Sequence, residues 1–119
     1  MRKFLKSFGY AFSGVSYAFR TQLNFKVHTV ALILACLLGW YLNLSLNEWL
    51  WITAAAGLVF IAELFNTALE VLVDLVSPSY NEKAKVIKDM AAATVLLAAI
   101  LAVIIGLAIF IPKLLNYAA

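Results

Sequence analysis

The sequence predicts an all-α integral membrane protein with three transmembrane helices, preceded by an amphipathic surface helix. Of the 119 residues, 66% are hydrophobic and only 13% are charged, whereas an average soluble domain has about half apolar and about a quarter charged residues. Three apolar segments approach the roughly 20 residues needed to cross the hydrocarbon core. The basic residues are concentrated between and before these segments. We therefore expect one membrane domain over residues 1–119, without a separate soluble catalytic module.

The N-terminal region, residues 1–28, is predicted to contain the amphipathic surface helix. Its large apolar residues follow one another at spacings of four, four, three and four: Phe4, Phe8, Phe12, Val15 and Phe19. Such spacing places them on one helical face, with lysine and serine on the other faces. A basic amphipathic helix of this kind is expected to lie in the membrane interface.

The three spans are predicted at about 30–46, 49–76 and 90–115. Aromatic residues cluster around the short connection between the first two spans, as at a membrane–water interface: Trp40, Tyr41, Trp49 and Trp51. Pro78 is expected to end the second helix. Ser79 with Glu82 three residues later fits a capping box that would open the third helix.

The basic residues predict the orientation of the chain in the membrane. Eight of the nine lie before span one or between spans two and three: Arg2, Lys3, Lys6, Arg20, Lys26, Lys83, Lys85 and Lys88. Positively charged loops remain in the cytoplasm. The N-terminus and the loop at 77–89 are therefore expected inside, and the C-terminus outside.

The second span carries a polar stripe where apolar residues are expected. Within "ELFNTALEVLVD", the polar residues fall inside one arc of about 100° on a helix: Glu63, Asn66, Thr67, Glu70 and Asp74. Ionisable groups inside a membrane indicate a functional site, although polar residues also join packed helices. Glu70 is predicted near the inner interface and Glu63 about 10 Å deeper. The first is thus placed for soluble ligands and the second for the polar end of a lipid.

A cationic group follows at the start of the third helix. Lys85 and Lys88 are three residues apart and Asp89 is adjacent. Their charge serves orientation in any case, but acids for a metal together with lysines for phosphate also suit phosphoryl transfer. The sequence contains no P-loop and no glycine-rich kinase loop, which excludes a conventional nucleotide-binding fold.

The stripe resembles the motif E-x-x-N-[ST]-[SA]-x-E-x-x-V-D of the prokaryotic diacylglycerol kinase and undecaprenol kinase family. "AKVIKDMAAATVLL" and "GYAFSGVSYAFR" are similar to further segments of that family, so that the resemblance extends from about residue 3 to 113. The segments "RTQLNFKVH" and "IIGLAIFIPKL" look closer to the undecaprenol kinase branch.

This resemblance implies a homotrimer in the bacterial cell membrane, with active sites shared between protomers and with ATP and Mg²⁺ as co-substrate and cofactor. Glu63 would be the base that takes the proton of the lipid hydroxyl, and Asn66 would help to orient it. Glu70 would hold the metal. The nucleotide would be contacted by a larger set: Tyr10, Glu70, Tyr80, Asn81, Lys88 and Asp89.

The chain departs from the family pattern at two positions. Gln22 stands where the family usually has a glutamate that joins Glu70 at the metal, and a hard cation prefers a carboxylate to an amide oxygen. Asn81 stands where histidine is frequent. His28, near the inner end of span one, is interpreted as an interfacial residue.

The leading hypothesis is therefore phosphorylation of a membrane lipid alcohol by ATP, with undecaprenol favoured over diacylglycerol on branch resemblance alone. The alternatives are a catalytically weak or silent lipid-binding relative, suggested by Gln22 and Asn81, and a small multidrug-type transporter. A transporter of that type has four spans, whereas three are predicted here. No nucleic-acid partner is expected.

Overall fold

The computed structural model describes residues 1–119 as four α-helices: α1 (Arg2–Thr21), α2 (Leu23–Tyr41), α3 (Leu46–Val76) and α4 (Glu82–Ala118). Helices α2, α3 and α4 are each long and apolar enough to cross a membrane, which confirms the prediction of three such segments. The 31 residues of α3 and 37 of α4 correspond to lengths of about 46 and 56 Å. Both exceed the hydrocarbon thickness of about 30 Å, so their ends reach beyond it.

The helix ends differ from the predicted span limits. Residues 23–28, which were grouped with the surface region, form the start of α2, and this helix ends at Tyr41 instead of residue 46. The polar side chains of Asn24 and Lys26 hide this first part of α2 from an analysis based on apolar runs. Helix α3 begins at Leu46, three residues before the predicted limit, and ends at Val76 as expected.

A tight turn joins α2 to α3. The N–H of Asn43 donates to the carbonyl of Trp40 at 3.3 Å, and the N–H of Leu44 donates to the carbonyl of Gly39 at 3.1 Å. This is the Schellman arrangement that ends many helices, and it requires a left-handed residue after the last helical position. Asn43 takes that conformation with φ of 57°. Asparagine adopts it more readily than other residues with a side chain.

Side chains fix the start of α3, on the other side of this turn. Ser45 accepts a hydrogen bond from the N–H of Glu48 at 3.2 Å, and Glu48 accepts one from the N–H of Ser45 at 3.0 Å, which completes a capping box. Glu48 also lies 3.2 Å from the ammonium of Lys113 on α4, and the hydroxyls of Tyr41 and Tyr117 are hydrogen-bonded. This end of the bundle therefore joins all three long helices.

The other end of the bundle is the α3–α4 end, where α3 stops at Val76 and α4 starts at Glu82. The predicted capping box of Ser79 with Glu82 is wrong. Asn81 is the N-cap, and its side-chain oxygen accepts hydrogen bonds from the N–H groups of Lys83 (2.9 Å) and Ala84 (3.2 Å). Asparagine is among the best N-cap residues, and Asn81 directly precedes α4, two positions after Ser79.

Packing within one chain leaves most of the apolar surface uncovered. Helix α3 packs chiefly against α4, and more lightly against α2 and α1. Only 15 of 119 residues are buried, whereas a soluble domain of this size buries most of its apolar side chains. The large exposed apolar residues are spread along all four helices. Lipid or further protein must cover them.

We predict that Gly39→Ala destabilises the protein. A Cβ at Gly39 would lie 2.7 Å from the ring of Trp49 and 2.8 Å from Leu44, and overpacking of this kind costs about 1–3 kcal/mol. The thermal denaturation midpoint in detergent micelles, followed by circular dichroism, should fall. Gly57→Ala is the matched control, because a Cβ there meets no atom within 4 Å. Equal midpoints for the two variants would contradict the packing argument.

Candidate active site

The polar stripe of α3 lies on the packed side of the helix and becomes more exposed towards the α3–α4 end. Glu63 is completely buried, and Asn66 and Thr67 are 6% and 4% exposed. Glu70, one turn further, is half-buried, and the side chain of Asp74 is 66% exposed. The stripe thus runs from a dry carboxyl group to a solvated one within three turns of one helix.

The buried polar atoms of the stripe are poorly satisfied within the chain. Both carboxyl oxygens of Glu63, the amide oxygen of Asn66 and the hydroxyl of Thr67 have no hydrogen-bond partner. The amide nitrogen of Asn66 donates to Glu70, at a long 3.4 Å. A buried polar group without a partner costs about 1–3 kcal/mol, and a charged one more. Such a cost is typical of groups that are kept for binding or catalysis rather than for stability.

One side chain outside the stripe approaches Glu63. The Nε2 atom of His28, on α2, lies 3.2 Å from Oε1 of Glu63. The two atoms are within ion-pair distance, but the contact does not have the geometry of a hydrogen bond. The sequence predicted His28 at the membrane interface, unconnected with the stripe. Only the antiparallel packing of α2 on α3 brings them together, and the sequence carries no local signal of it.

At the α3–α4 end, the predicted cationic residues are held in separate ion pairs. Lys88 lies 2.5 Å from Asp74 and connects α4 to α3, whereas Lys85 lies 2.6 Å from Asp89 within α4. All four side chains are at least 40% exposed. Exposed pairs of this type contribute about 0–1 kcal/mol. Breaking either ion pair therefore costs little free energy, and either lysine can exchange its carboxylate partner for an anionic ligand.

The remaining predicted site residues are not gathered around the stripe by this chain alone. Tyr10 on α1 is 73% exposed and Tyr80, between α3 and α4, is 79% exposed. Neither makes a hydrogen bond to another side chain. Asn81 uses its side-chain oxygen as the cap of α4. Gln22 is the extended residue between α1 and α2, is half-buried, and makes no side-chain hydrogen bond.

The residues present suit Mg²⁺ only as part of a nucleotide complex. No group of three or more His, Cys, Asp or Glu side chains is close enough together to hold a metal ion. Glu70 offers one half-buried carboxylate. Mg²⁺ is commonly bound through one or two carboxylates together with substrate phosphates and water. The donor set thus fits a metal that arrives with phosphate oxygens, and it does not fit an all-protein metal cage.

An apolar groove of about 240 Å³ runs between α2, α3 and α4, and its lining includes His28, the side chain that contacts Glu63. Its walls are formed largely by small residues, among them Ala31, Ala35, Ala55, Ala99 and Gly106. His28 is the one polar side chain in its lining, because the other members are apolar or glycine. The groove therefore combines an apolar path along the helices with a polar group next to Glu63.

We predict that Glu63→Met stabilises the protein. An apolar side chain of similar length removes a buried carboxyl group that has no hydrogen bond, and such a group costs about 1–3 kcal/mol or more of folding free energy. The denaturation midpoint in micelles should rise. Glu70→Met is the control, since Glu70 is half-buried and bonded to Asn66, and it should change the midpoint little. A lower midpoint for Glu63→Met would show that the carboxyl group supports the fold.

Comparison with known proteins identifies the family. Residues 9–110 match the family model described as prokaryotic diacylglycerol kinase. The chain is 52% identical over 116 residues to a protein of Synechocystis sp. named diacylglycerol kinase, with 94% of this chain and 65% of that protein covered. It is 40% identical over 114 residues to the undecaprenol kinase of Bacillus subtilis (96% and 93% covered) and 32% identical over 102 residues to the diacylglycerol kinase of Escherichia coli (86% and 84%).

The chain thus spans somewhat less than two thirds of the Synechocystis protein but nearly all of the Bacillus subtilis protein. The family match includes the polar stripe of α3, the α3–α4 end and most of α4. The chain belongs to the prokaryotic diacylglycerol kinase family.

Proposed function

We propose that the protein transfers the γ-phosphate of ATP to the hydroxyl group of a membrane lipid alcohol. The observation that carries this proposal is the carboxyl group of Glu63, which is fully buried, lacks a hydrogen-bond partner and contacts His28, a side chain that lines an apolar groove. A base for a lipid hydroxyl has to meet its substrate where the apolar chain is also accommodated. The names of the relatives, diacylglycerol kinase and undecaprenol kinase, describe reactions of this class.

In the proposed reaction, Glu63 accepts the proton of the lipid hydroxyl as its oxygen bonds to the γ-phosphorus and the bond from that phosphorus to ADP breaks. General-base assistance of this kind contributes about 10²–10⁴-fold to a rate. Asn66 lies one turn along α3 and is 6% exposed. Its amide nitrogen donates one N–H to Glu70, and its second N–H can donate to the oxygen of the same hydroxyl and orient it. Phosphoryl transfer otherwise depends on alignment and charge neutralisation.

The nucleotide is proposed to bind at the α3–α4 end. Glu70 is the carboxylate nearest to the buried part of the stripe, and Lys88 lies beyond it, paired with Asp74. Mg²⁺, when bound with ATP, would neutralise phosphate charge between Glu70 and the nucleotide. Lys88 can leave an exposed ion pair for a phosphate at small cost. Asp89, Tyr80 and Asn81 flank this position and are proposed to contact the rest of the nucleotide.

The acceptor is proposed to be an alcohol on a long apolar chain. The relatives carry two different names in this respect, and the 52% identical one is a diacylglycerol kinase while the 40% identical one is an undecaprenol kinase. The walls of the groove are apolar, so they recognise the chain through contact area and shape rather than through polar groups. The choice between the two alcohols is therefore a matter for a direct measurement.

The experiment uses purified protein in mixed micelles with γ-labelled ATP and Mg²⁺, and supplies undecaprenol or diacylglycerol separately. Transfer of label to either lipid supports the proposed function, and the ratio of the two rates identifies the preferred acceptor. ATP hydrolysis without labelled lipid, or no turnover in a correctly folded preparation, would overturn the proposal. The second outcome would favour a silent lipid-binding relative.

We predict different defects for the two glutamates. Glu63→Gln should lower kcat by about 10²-fold or more, because it removes the base, while the affinity for Mg–ATP stays near that of the wild type. Glu70→Gln should weaken Mg–ATP binding as well, because it removes a metal-binding carboxylate. Titration with a fluorescent ATP analogue separates binding from turnover. Normal turnover in both variants would show that the site lies elsewhere.

The protein is further proposed to be a homotrimer with its N-terminus and α3–α4 end in the cytoplasm, and with α1 on the inner membrane surface. Closed symmetric homo-oligomers are the usual form of assembly, and the uncovered apolar surface of one chain leaves room for such contacts. Tyr10 makes no hydrogen bond within its own chain and is 73% exposed. A neighbouring protomer is the proposed route by which Tyr10 comes close to the nucleotide.

We predict that two inactive variants restore activity when they are mixed. Tyr10→Ala and Glu70→Gln each should lose activity alone. If Tyr10 and Glu70 of one site come from different protomers, mixed oligomers contain some intact sites, and co-expression of the two should give activity well above the sum of the separate preparations. Co-expression without any recovery, in preparations where mixed oligomers are shown by differently tagged chains, would contradict shared sites.

A further inference from the structure

We propose that His28 is a positioning residue for Glu63, and that it holds the carboxyl group ready for the lipid hydroxyl. This inference rests on the proposed function. His28 is the one basic side chain within ion-pair distance of Glu63, with Nε2 3.2 Å from Oε1. A second nearby donor, the amide nitrogen of Asn66, donates to Glu70 instead. Within this chain, His28 therefore makes the one ion-pair contact of this carboxyl group.

Beside the contact of His28 with Glu63, α2 packs on α3 through two aromatic rings. Phe25 is one turn before His28 on α2, and Phe60 is one turn before Glu63 on α3. The two rings pack edge to face with centroids 5.1 Å apart, and Phe25 is only 6% exposed. Edge-to-face aromatic pairs stabilise by about 0.5–1.5 kcal/mol beyond their buried area. The aromatic pair thus stabilises the packing of α2 on α3 beside the contact between the imidazole and the carboxyl group.

Glu63 and His28 differ in exposure, and this difference suits them to different roles. The Glu63 side chain is 1% exposed, whereas that of His28 is 23% exposed and lines the apolar groove. A hydrogen bond from the Nε2–H group of His28 to Oε1 would leave Oε2 of Glu63 available to the lipid hydroxyl. A base that is itself oriented by a second side chain is a common arrangement in catalysis.

The contact between His28 and Glu63 is close but does not have the geometry of a hydrogen bond. Catalytic hydrogen bonds are often long or poorly aligned before the substrate binds, and they shorten in the complex. A rotation of either side-chain plane changes the angle without a movement of the helices. We therefore expect the hydrogen bond to form when a lipid hydroxyl occupies the space beside Oε2 and restricts the carboxyl group.

In the reaction, His28 does not exchange atoms with the substrate. The proton of the lipid hydroxyl passes to Oε2 of Glu63, the new bond forms between the lipid oxygen and the γ-phosphorus, and ADP leaves with the electron pair of the broken bond. His28 donates its Nε2–H group to Oε1 before and after the transfer. Its loss should therefore affect the chemical step and leave the binding of Mg–ATP unchanged.

The test compares His28→Leu with His28→Gln in the mixed-micelle kinase assay. Leucine removes the N–H donor and should lower kcat roughly ten- to hundred-fold, as loss of a supporting hydrogen bond behind a functional ligand does. The KM for ATP should stay within about two-fold of the wild-type value. Glutamine keeps an N–H donor at similar reach and should restore most of kcat. Thr29→Val is the control on the same turn, because it removes a hydroxyl that bonds only to the carbonyl of Phe25, and it should leave kcat unchanged.

Two further measurements separate positioning from a structural role. Added imidazole should raise the activity of His28→Ala in a saturable manner and should not affect the wild type. The double variant His28→Leu with Glu63→Gln should be no slower than Glu63→Gln alone, since residues that act as a unit are not additive. A folding defect would not respond to imidazole and would add to the loss at Glu63.

The outcomes for the inference and for the proposed function differ. Wild-type protein that labels lipid, together with a His28→Leu variant of unchanged kcat, would overturn the role of His28 and leave the kinase assignment standing. Equal losses in the leucine and glutamine variants, without rescue by imidazole, would overturn it as well. A wild-type protein that labels no lipid would overturn the proposed function and the role of His28 together.

Discussion

The burial of the Glu63 carboxyl group in a membrane-spanning helix is the constraint on which the rest of the structure depends. A carboxyl group at this position is costly in lipid, whether or not it is ionised, so the face of α3 that carries it has to be covered by protein. Helices α1, α2 and α4 all pack against α3, and α3 contains seven of the buried residues. The polar stripe thus determines which helix is central. The apolar faces of the outer helices are left for lipid or further protein to cover.

The two ends of the bundle are held by different kinds of interaction. At the α2–α3 turn, a Schellman arrangement, a capping box and the ion pair of Glu48 with Lys113 fix the helix ends. At the α3–α4 end, the cap of Asn81 sets the start of α4, but the charged side chains form only exposed pairs. The interactions that stabilise the helix ends are therefore concentrated at the α2–α3 turn, away from the proposed nucleotide site. The side chains proposed to bind the nucleotide can exchange their present partners for it.

The sequence alone was sufficient for the elements that depend on local pattern. Length and apolarity predicted the three spanning helices, and helical spacing predicted that the acids of α3 share one face. It was not sufficient where polar residues interrupt an apolar run, which is why the start of α2 was missed. The contact of His28 with Glu63 depends on the register of two antiparallel helices, 35 positions apart in the chain, and no periodicity within either helix encodes it. Asn81 was overlooked as a cap because Ser79 and Glu82 match a more familiar pattern.

The separation of the polar and apolar parts of the site also bears on the choice of acceptor. A polar group that must be satisfied discriminates strongly between ligands, whereas an apolar wall distinguishes chains by only about 1–3 kcal/mol per methylene group. In the proposed site, Glu63 and Asn66 would act on a hydroxyl that every lipid alcohol possesses, and His28, which lines the groove, would act through Glu63. The walls of small residues address the chain. A change of lipid acceptor would therefore require no change in the groups proposed to act on the hydroxyl. Relatives named for two different lipids agree with this division of the site. Differences between them should be sought in the alanines and the glycine that set the width of the groove.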